Sequence, residues 1–176
     1  MAAGDAGFSP HTVASPRIPP PTSNLLNDPR WSAYHLWQRG QELIDHTRHA
    51  PHTVAALASA PIPRITRWAP MIMFSLLRPG THIEPHHGIT NTRLICHLPI
   101  IAPDGCALRV GGSTRTWEEG KALIFDDSFE HEAWNRGSAI RVVLLFEIWR
   151  PDISLAERDE LTALFEAVEL AGADED

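Results

Sequence analysis

The sequence predicts a mainly β chain, a jelly roll or sandwich of short strands flanked by helices near its N- and C-terminal ends. Three observations predict it. From residue 71 to residue 149 the apolar residues fall into about eight short runs, several of them alternating with polar positions. Gly, Pro and Asn punctuate those runs, as turns between antiparallel strands require. On either side of this region the apolar spacing lengthens to a helical period. Short strands in unbroken succession argue against βαβ units.

Taken in order, the first 27 residues are rich in Pro, Ser, Ala and Thr, with Pro19-Pro20-Pro21 in their midst. Such a stretch cannot bury enough apolar surface to offset the entropy of ordering it, and a flexible arm is expected over residues 1–27. Trp31, Tyr34, Trp37, Leu43 and Ile44 fit one face of a helix over residues 31–44, with Gly40 its weak point. A second, short helix is expected after Pro51, through Val54 and Leu57, ending before Pro61.

Strands follow. Residues 71–77 are apolar and closed by Pro79-Gly80. Residues 92–100 alternate, with Arg93, Ile95 and His97 on one face and Leu94, Cys96 and Leu98 on the other. Residues 106–110 and 114–117 flank Gly111-Gly112, a hairpin signal. Residues 121–125, 131–134 and 140–149 complete the set. Ser154 and Glu157 then form a capping box for a helix carrying Leu155, Leu161, Leu164, Phe165 and Val168, stopped at Gly172 and expected to cover the β-structure.

At 176 residues, one domain is expected over residues 28–176, beyond the arm. A chain of this length buries roughly 70% of the surface its unfolded form exposes and needs no disulfide or metal staple. The formal net charge is −7 and no Lys/Arg cluster occurs, which argues against a nucleic-acid footprint or a polybasic membrane patch. Cys96 and Cys106 match no common metal-ligand spacing, so buried free thiols are expected. No basic stretch leads into an apolar core at the N-terminus, and no apolar run approaches the ~18 residues that cross a bilayer. A soluble cytoplasmic protein is the expectation.

Ten histidines are many for an acidic chain of this size. Residues 79–88 read Pro-Gly-Thr-His-Ile-Glu-Pro-His-His-Gly. A mononuclear iron oxygenase needs imidazoles and open coordination positions, and often a carboxylate two residues after the first His. That spacing puts both ligands on one face of a strand. His82 and Glu84 have it. Read from His86, the partner two residues on is Gly88, which has nothing to offer, and His87 points to the opposite face. Spacing alone leaves both readings open. His46, His49 and His52 read as polar surface positions.

Further on, His131 opens a strand behind an acidic turn, and Arg141 follows ten residues later on the face of Val143 and Leu145, which should look inward. A buried Arg is costly without an anion, and its planar fork suits a carboxylate. By itself the His–Arg pair is a weak signal.

Together these segments resemble the aspartyl/asparaginyl β-hydroxylase family of Fe(II)/2-oxoglutarate-dependent dioxygenases. The resemblance spans roughly residues 71–152. It rests on Ser75, Pro-Gly-Thr-His at 79–82, Pro85-His86, Thr90-Asn91, Arg93 and His97-Leu98, and above all on the runs at 116–121 and 124–132. It implies a double-stranded β-helix with a cupin-like core. It implies that His86 and His131 hold Fe(II) without a carboxylate, with Gly88 at the vacant corner, so that His82-x-Glu84 is a decoy. The same resemblance assigns Arg141 and Ser75 to the distal carboxylate of 2-oxoglutarate and places His97 near its other end. Arg93 joins this cofactor-binding group, and Asp127 acts from outside the ligand set, through iron-bound water.

One departure stands out. The family's strand carries Arg-x-Arg-x-His on its inner face; here Arg93 and His97 remain, but the middle position is Ile95. That points away from an aspartyl substrate and toward a small molecule such as an amino acid or a biosynthetic intermediate. The expected activity is hydroxylation of such a molecule with Fe(II), 2-oxoglutarate and O₂. Two other readings stay open. The vacant corner at Gly88 leaves room for chloride, as in a 2-oxoglutarate-dependent halogenase. Residues 120–135 also resemble the second cupin motif, with Asp126 and Ser128 replacing its usual Pro and Gly, which suits a metal-binding module without oxygenase chemistry. Trp117 and Trp134 are candidates for the substrate mouth, and equally for core packing.

Overall fold

The computed structural model describes residues 7–12, 25 and 27–173, and among these it holds eleven strands and three helices. The first part comprises β1 (Ser9–Pro10), β2 (Trp31–Gln38), β3 (Gln41–Glu42), α1 (Ile44–Thr47) and α2 (Pro51–Leu57). The central strands are β4 (Ile72–Leu77), β5 (Thr81–His86), β6 (Arg93–Ile101), β7 (Cys106–Val110) and β8 (Ser113–Thr116). Then come β9 (Leu123–Phe125), β10 (His131–Asn135), β11 (Arg141–Trp149) and the helix α3 (Leu155–Ala173). The larger sheet runs β1-β2-β4-β11-β6-β9, with β3 on β2; the smaller runs β5-β10-β7-β8. From β4 onward the chain crosses repeatedly between the two sheets, and all neighbours within a sheet are antiparallel. That winding is a double-stranded β-helix.

Inward residues from both sheets meet in a core that includes Trp31, Leu77, Ile83, Leu108, Trp117 and Val143. The outer face of the larger sheet is covered as well: Leu36, Trp37, Ile72 and Leu144 pack against Leu57 of α2 and Ile62. Trp68 stacks on Phe165 of α3 at 4.8 Å, beside the buried Trp149. Cys96 and Cys106 are free and buried, as expected. No helix among the described residues is long and apolar enough to cross a membrane.

The helix expected over residues 31–44 is instead β2, turned back through β3. The reason is burial on both faces. Trp31 looks into the inter-sheet core, while Leu36 and Trp37 meet α2, so apolar groups stand at successive positions and hide the two-residue period. The helix after Pro51 and the hairpin at Gly111-Gly112 form as expected.

The capping box at α3 closes in both directions: Ser154 N–H reaches Glu157 Oε2 at 2.8 Å, and Glu157 N–H reaches Ser154 Oγ at 3.4 Å. Gly172 is the last residue but one of α3 as described, which runs to Ala173. The contact stripe of α3 differs from expectation. Leu161, Phe165 and the buried Glu169 face the protein, whereas Leu155, Leu164 and Val168 are exposed. Within the expected flexible arm, Ser9–Pro10 pairs with Ser32 and Ala33 of β2, and Leu25 is buried in the inter-sheet core. Residues 1–6, 13–24 and 26 of the arm lie outside the described residues.

Candidate active site

Between the two sheets lies a cavity of about 160 Å³, and Ser75, His86, His97, Asp127, His131 and Arg141 all line it. Six of the residues singled out in the sequence, drawn from five separate segments, therefore face one space. Arg93 stands behind Asp127.

The two histidines come from paired strands of the smaller sheet, with His86 directly opposite His131. From Ile83 to His86 on β5, the register slips by one residue against Ala133 to His131 on β10. This bulge brings His86 onto the same inward side as Ile83. The imidazole centroids are 4.1 Å apart. His86 Nδ1 lies 2.8 Å from the Glu84 carbonyl and His131 Nδ1 lies 3.0 Å from the Phe129 carbonyl. A carbonyl only accepts, so Nδ1 carries a hydrogen in both rings, and in the neutral form of such a ring Nε2 is the nitrogen with the lone pair. That is the tautomer a metal ligand needs. Burial, with His86 adding to it, lowers the pKa of His131 to about 4, so the ring is neutral at neutral pH. His82 points the other way, to the outer face, where Nε2 meets Glu132 at 2.5 Å. The pair His82-x-Glu84 thus has its histidine outside the cavity.

At the opposite end of the cavity Arg141 is 2% exposed. Its Nη1 donates to the Ser75 carbonyl at 3.4 Å, its guanidinium lies 5.0 Å from the Trp117 ring, and its Nε has no partner. No carboxylate pairs with it among the described residues. Burial lowers its pKa to about 10, which still leaves it charged. Trp31 Nε1 donates to Ser75 Oγ at 3.3 Å, fixing that hydroxyl beside Arg141. His97 is buried with Nδ1 unpartnered, packed edge-on to Phe125 at 5.1 Å. Its pKa is held well below the usual value, first by burial and then by Arg141 and His131. His97, His131 and Arg141 line the same cavity.

Asp127 closes the side of the cavity near the histidines. Its Oδ2 accepts from Arg93 Nη1 at 3.1 Å, its Oδ1 has no partner, and its carbonyl accepts the Gly88 N–H at 2.6 Å. Arg93 Nε also reaches Glu147 Oε2 at 2.8 Å, and Glu147 Oε1 accepts the Met71 N–H at 2.9 Å. Arg93 is therefore engaged by two buried carboxylates and is not among the residues facing the cavity, in contrast to its expected place in the cofactor-binding group. Burial raises the pKa of both Asp127 and Glu147, with the Arg93 cation opposing the rise.

Comparison with known proteins places this arrangement. The family profile described as Aspartyl/Asparaginyl beta-hydroxylase matches residues 10–151. The chain belongs to the aspartyl/asparaginyl β-hydroxylase family. It is 38% identical over 161 residues to the human aspartyl/asparaginyl beta-hydroxylase, covering 91% of this chain and 21% of that protein. It is 38% identical over 138 residues to human aspartate beta-hydroxylase domain-containing protein 2, covering 77% of this chain and 37% of that one. It is also 39% identical over 130 residues to the ornithine lipid ester-linked acyl 2-hydroxylase of Rhizobium tropici, covering 72% and 44%. The chain thus spans about a fifth to somewhat under half of the length of these relatives. A solved cupin domain, that of Cnp3 from Schizosaccharomyces pombe, is similar at a TM-score of 0.44 and 6% identity, covering 69% of this chain and 66% of that one.

For this member of the hydroxylase family, sequence reasoning missed three residues near the site. Glu147 left a trace: it is the one acidic residue in the apolar strand β11. Trp31 was assigned to a helix. His11 follows β1, stacks on Trp31 at 4.1 Å and lines the cavity; nothing in a Pro-rich arm marked it. Trp117 lies under Arg141, and Trp134 lies on the outer face of the smaller sheet beside His82 and Arg136, so neither forms a mouth.

Proposed function

We propose that this family member is an Fe(II)- and 2-oxoglutarate-dependent hydroxylase that uses O₂ to hydroxylate a small molecule. The observation that carries the reading is Arg141, a buried guanidinium without a carboxylate partner among the described residues, across the cavity from two imidazoles whose neutral forms carry the lone pair on Nε2. A buried cation of this kind calls for an anion. A keto diacid supplies one carboxylate for Arg141 and leaves its other end for a metal.

His86 and His131 would hold that metal, and among the described residues no group of three or more His, Cys, Asp or Glu is placed to do so. Two protein ligands leave the open coordination that a co-substrate and O₂ need. Iron, when bound, supplies the oxidising chemistry that none of these side chains possesses. The chain's own residues bind and orient. Arg141 and the Ser75 hydroxyl fix the far carboxylate, His97 packs along the diacid, and the apolar walls keep water out. Asp127 stands where a halide would have to sit beside Gly88, and a carboxylate there disfavours chloride, which supports hydroxylation over halogenation. The cavity's size, below the roughly 300–1,000 Å³ of a drug-sized pocket, suits a co-substrate plus the reacting group of a small molecule.

Anaerobic titration with Fe(II) and 2-oxoglutarate, followed by the visible metal-to-keto-acid charge-transfer band, tests the proposal. The band should form in the wild type and in His82→Ala and be lost in His86→Ala. With metal bound but no band in the wild type, the cupin-like metal-binding module becomes the better account.

A further inference from the structure

The residue that follows β1 belongs to the cavity. Ser9 and Pro10 pair with Ala33 and Ser32 of β2, and the His11 N–H continues this ladder to the Trp31 carbonyl at 2.9 Å. The Asn27 N–H in turn donates to the His11 carbonyl at 3.0 Å. Backbone bonds on both sides therefore set His11 across from Trp31, where cross-strand side chains meet. The two rings stack, with centroids 4.1 Å apart and planes 25° from parallel. His11 Nδ1 is buried without a partner among the described residues, so the stack, and not a bond at that nitrogen, seats the ring. Burial first, then His35 and His86, lower its pKa to about 4, and at neutral pH the ring is an uncharged aromatic.

Trp31 carries this placement inward. Ala33, two residues on and on the same face of β2, pairs with Ser75 of β4, which sets the indole diagonally across from the serine. Trp31 Nε1 donates to Ser75 Oγ at 3.3 Å, while Arg141 Nη1 donates to the Ser75 carbonyl at 3.4 Å. An indole N–H only donates, so the serine oxygen accepts there and keeps its own hydrogen to give. A hydroxyl held in that way beside a buried guanidinium suits an anion. His11, Trp31, Ser75 and Arg141 all line the inter-sheet cavity.

We propose that His11 is a positioning residue for 2-oxoglutarate, clamping the Trp31 indole so that Ser75 presents its hydroxyl hydrogen to the far carboxylate. The proposal rests on the Fe(II)/2-oxoglutarate reading above and adds to it a residue of the N-terminal segment. The clamp uses the flat face of the ring and not its nitrogens, so Phe can stand in for His11 and Ala cannot.

The probe is 2-oxoglutarate itself, titrated anaerobically against the Fe(II)-loaded protein and read from the charge-transfer band, with a urea transition recorded for each variant. His11→Ala, at a half-buried position, should raise the Kd at least fivefold. His11→Phe should stay within twofold of the wild type. Ser75→Ala should also raise the Kd at least fivefold, and adding His11→Ala to it should change the Kd less than twofold, because one residue acts through the other. Trp31→Phe, which keeps a ring and loses the N–H, serves in the same cycle should either Ser75 variant not fold. A merely structural His11 would lower the urea midpoint and leave the Kd of the folded protein unchanged. With the wild-type band present, a Kd for His11→Ala within twofold of the wild type overturns the proposal and leaves the hydroxylase reading standing. So does a loss in His11→Phe equal to that in His11→Ala, or a double variant whose losses multiply. Absence of the band in the wild type overturns both.

Discussion

Gly88 and Asp127 lie so close that no side chain fits on the first of them. A Cβ built on Gly88 would sit 2.6 Å from Asp127 Oδ1 and nearer still to Oδ2, while the Gly88 N–H donates to the Asp127 carbonyl at 2.6 Å. Gly88 stands two residues after His86, the place where a strand would carry a ligating carboxylate. Asp127, arriving from the loop before β10, fills that space with a carboxylate of its own and anchors it on Arg93.

The contact predicts a specific coupling. Gly88→Ala should lower stability by about 1–3 kcal/mol, as overpacking does, and Asp127→Gly in the same chain should recover most of that. Urea denaturation of the wild type, both single variants and the double variant measures the interaction. A coupling within about 0.5 kcal/mol of zero would show that the two residues do not meet.

Arg141 should behave as a residue kept for its ligand. Arg141→Met replaces an unmatched buried cation with an apolar chain, so the protein without co-substrate should be as stable as the wild type or more so. Affinity for 2-oxoglutarate should fall about 100-fold, in line with the ~1.5–3 kcal/mol of a charge-assisted hydrogen bond. Thermal unfolding with and without 2-oxoglutarate checks both halves. The wild-type Tm should rise with the ligand, and that of the variant should stay level.

Arg93 should behave in the opposite way. Its loss in Arg93→Ala strands two buried carboxylates, and the expected cost is about 3–5 kcal/mol of stability. Chemical denaturation decides the matter: unchanged stability with weakened 2-oxoglutarate binding would return Arg93 to the cofactor-binding group.

Stability should also depend on pH with a definite sign. Burial first, and neighbouring histidines second, lower the pKa values of His11 and His131 to about 4 from 6.5. The unfolded chain then binds more protons below pH 6.5. The contribution of each ring is fully present above that pH and is lost as the pH falls toward about 4. The raised pKa values of Asp127 and Glu147 act in the reverse sense, so the difference between wild type and His131→Gln is the quantity to follow. In metal-free protein the wild-type urea midpoint should drop more steeply than the variant's between pH 7 and 5. Parallel slopes would contradict a neutral, buried His131.

Much of the β-structure was legible in the sequence because its turns are marked. Gly111-Gly112 announced the β7–β8 hairpin, Ser154 and Glu157 announced the start of α3, and alternation placed Arg93, Ile95 and His97 of β6 on one face. Arg141 was legible from periodicity, as a cation on the face of Val143 and Leu145. The choice of His86 over His82 was not legible from spacing. It depended on the family resemblance, and the structure shows what spacing concealed: a bulge in β5 turns His86 inward while His82 meets Glu132 outside.

The sequence by itself determined most of the strands from residue 71 onward, their turns and the residue types the cavity draws on, since these follow from local period, turn chemistry and the cost of burying charge. Only the tertiary structure decided which groups meet: Asp127 against Gly88, Glu147 on Arg93, His11 on Trp31, and β2 in place of a helix. Each of these joins segments far apart in the chain, or depends on which face of a strand a distant helix covers. Contacts of that kind leave no periodic trace, because the partner that defines them lies outside any window along the sequence.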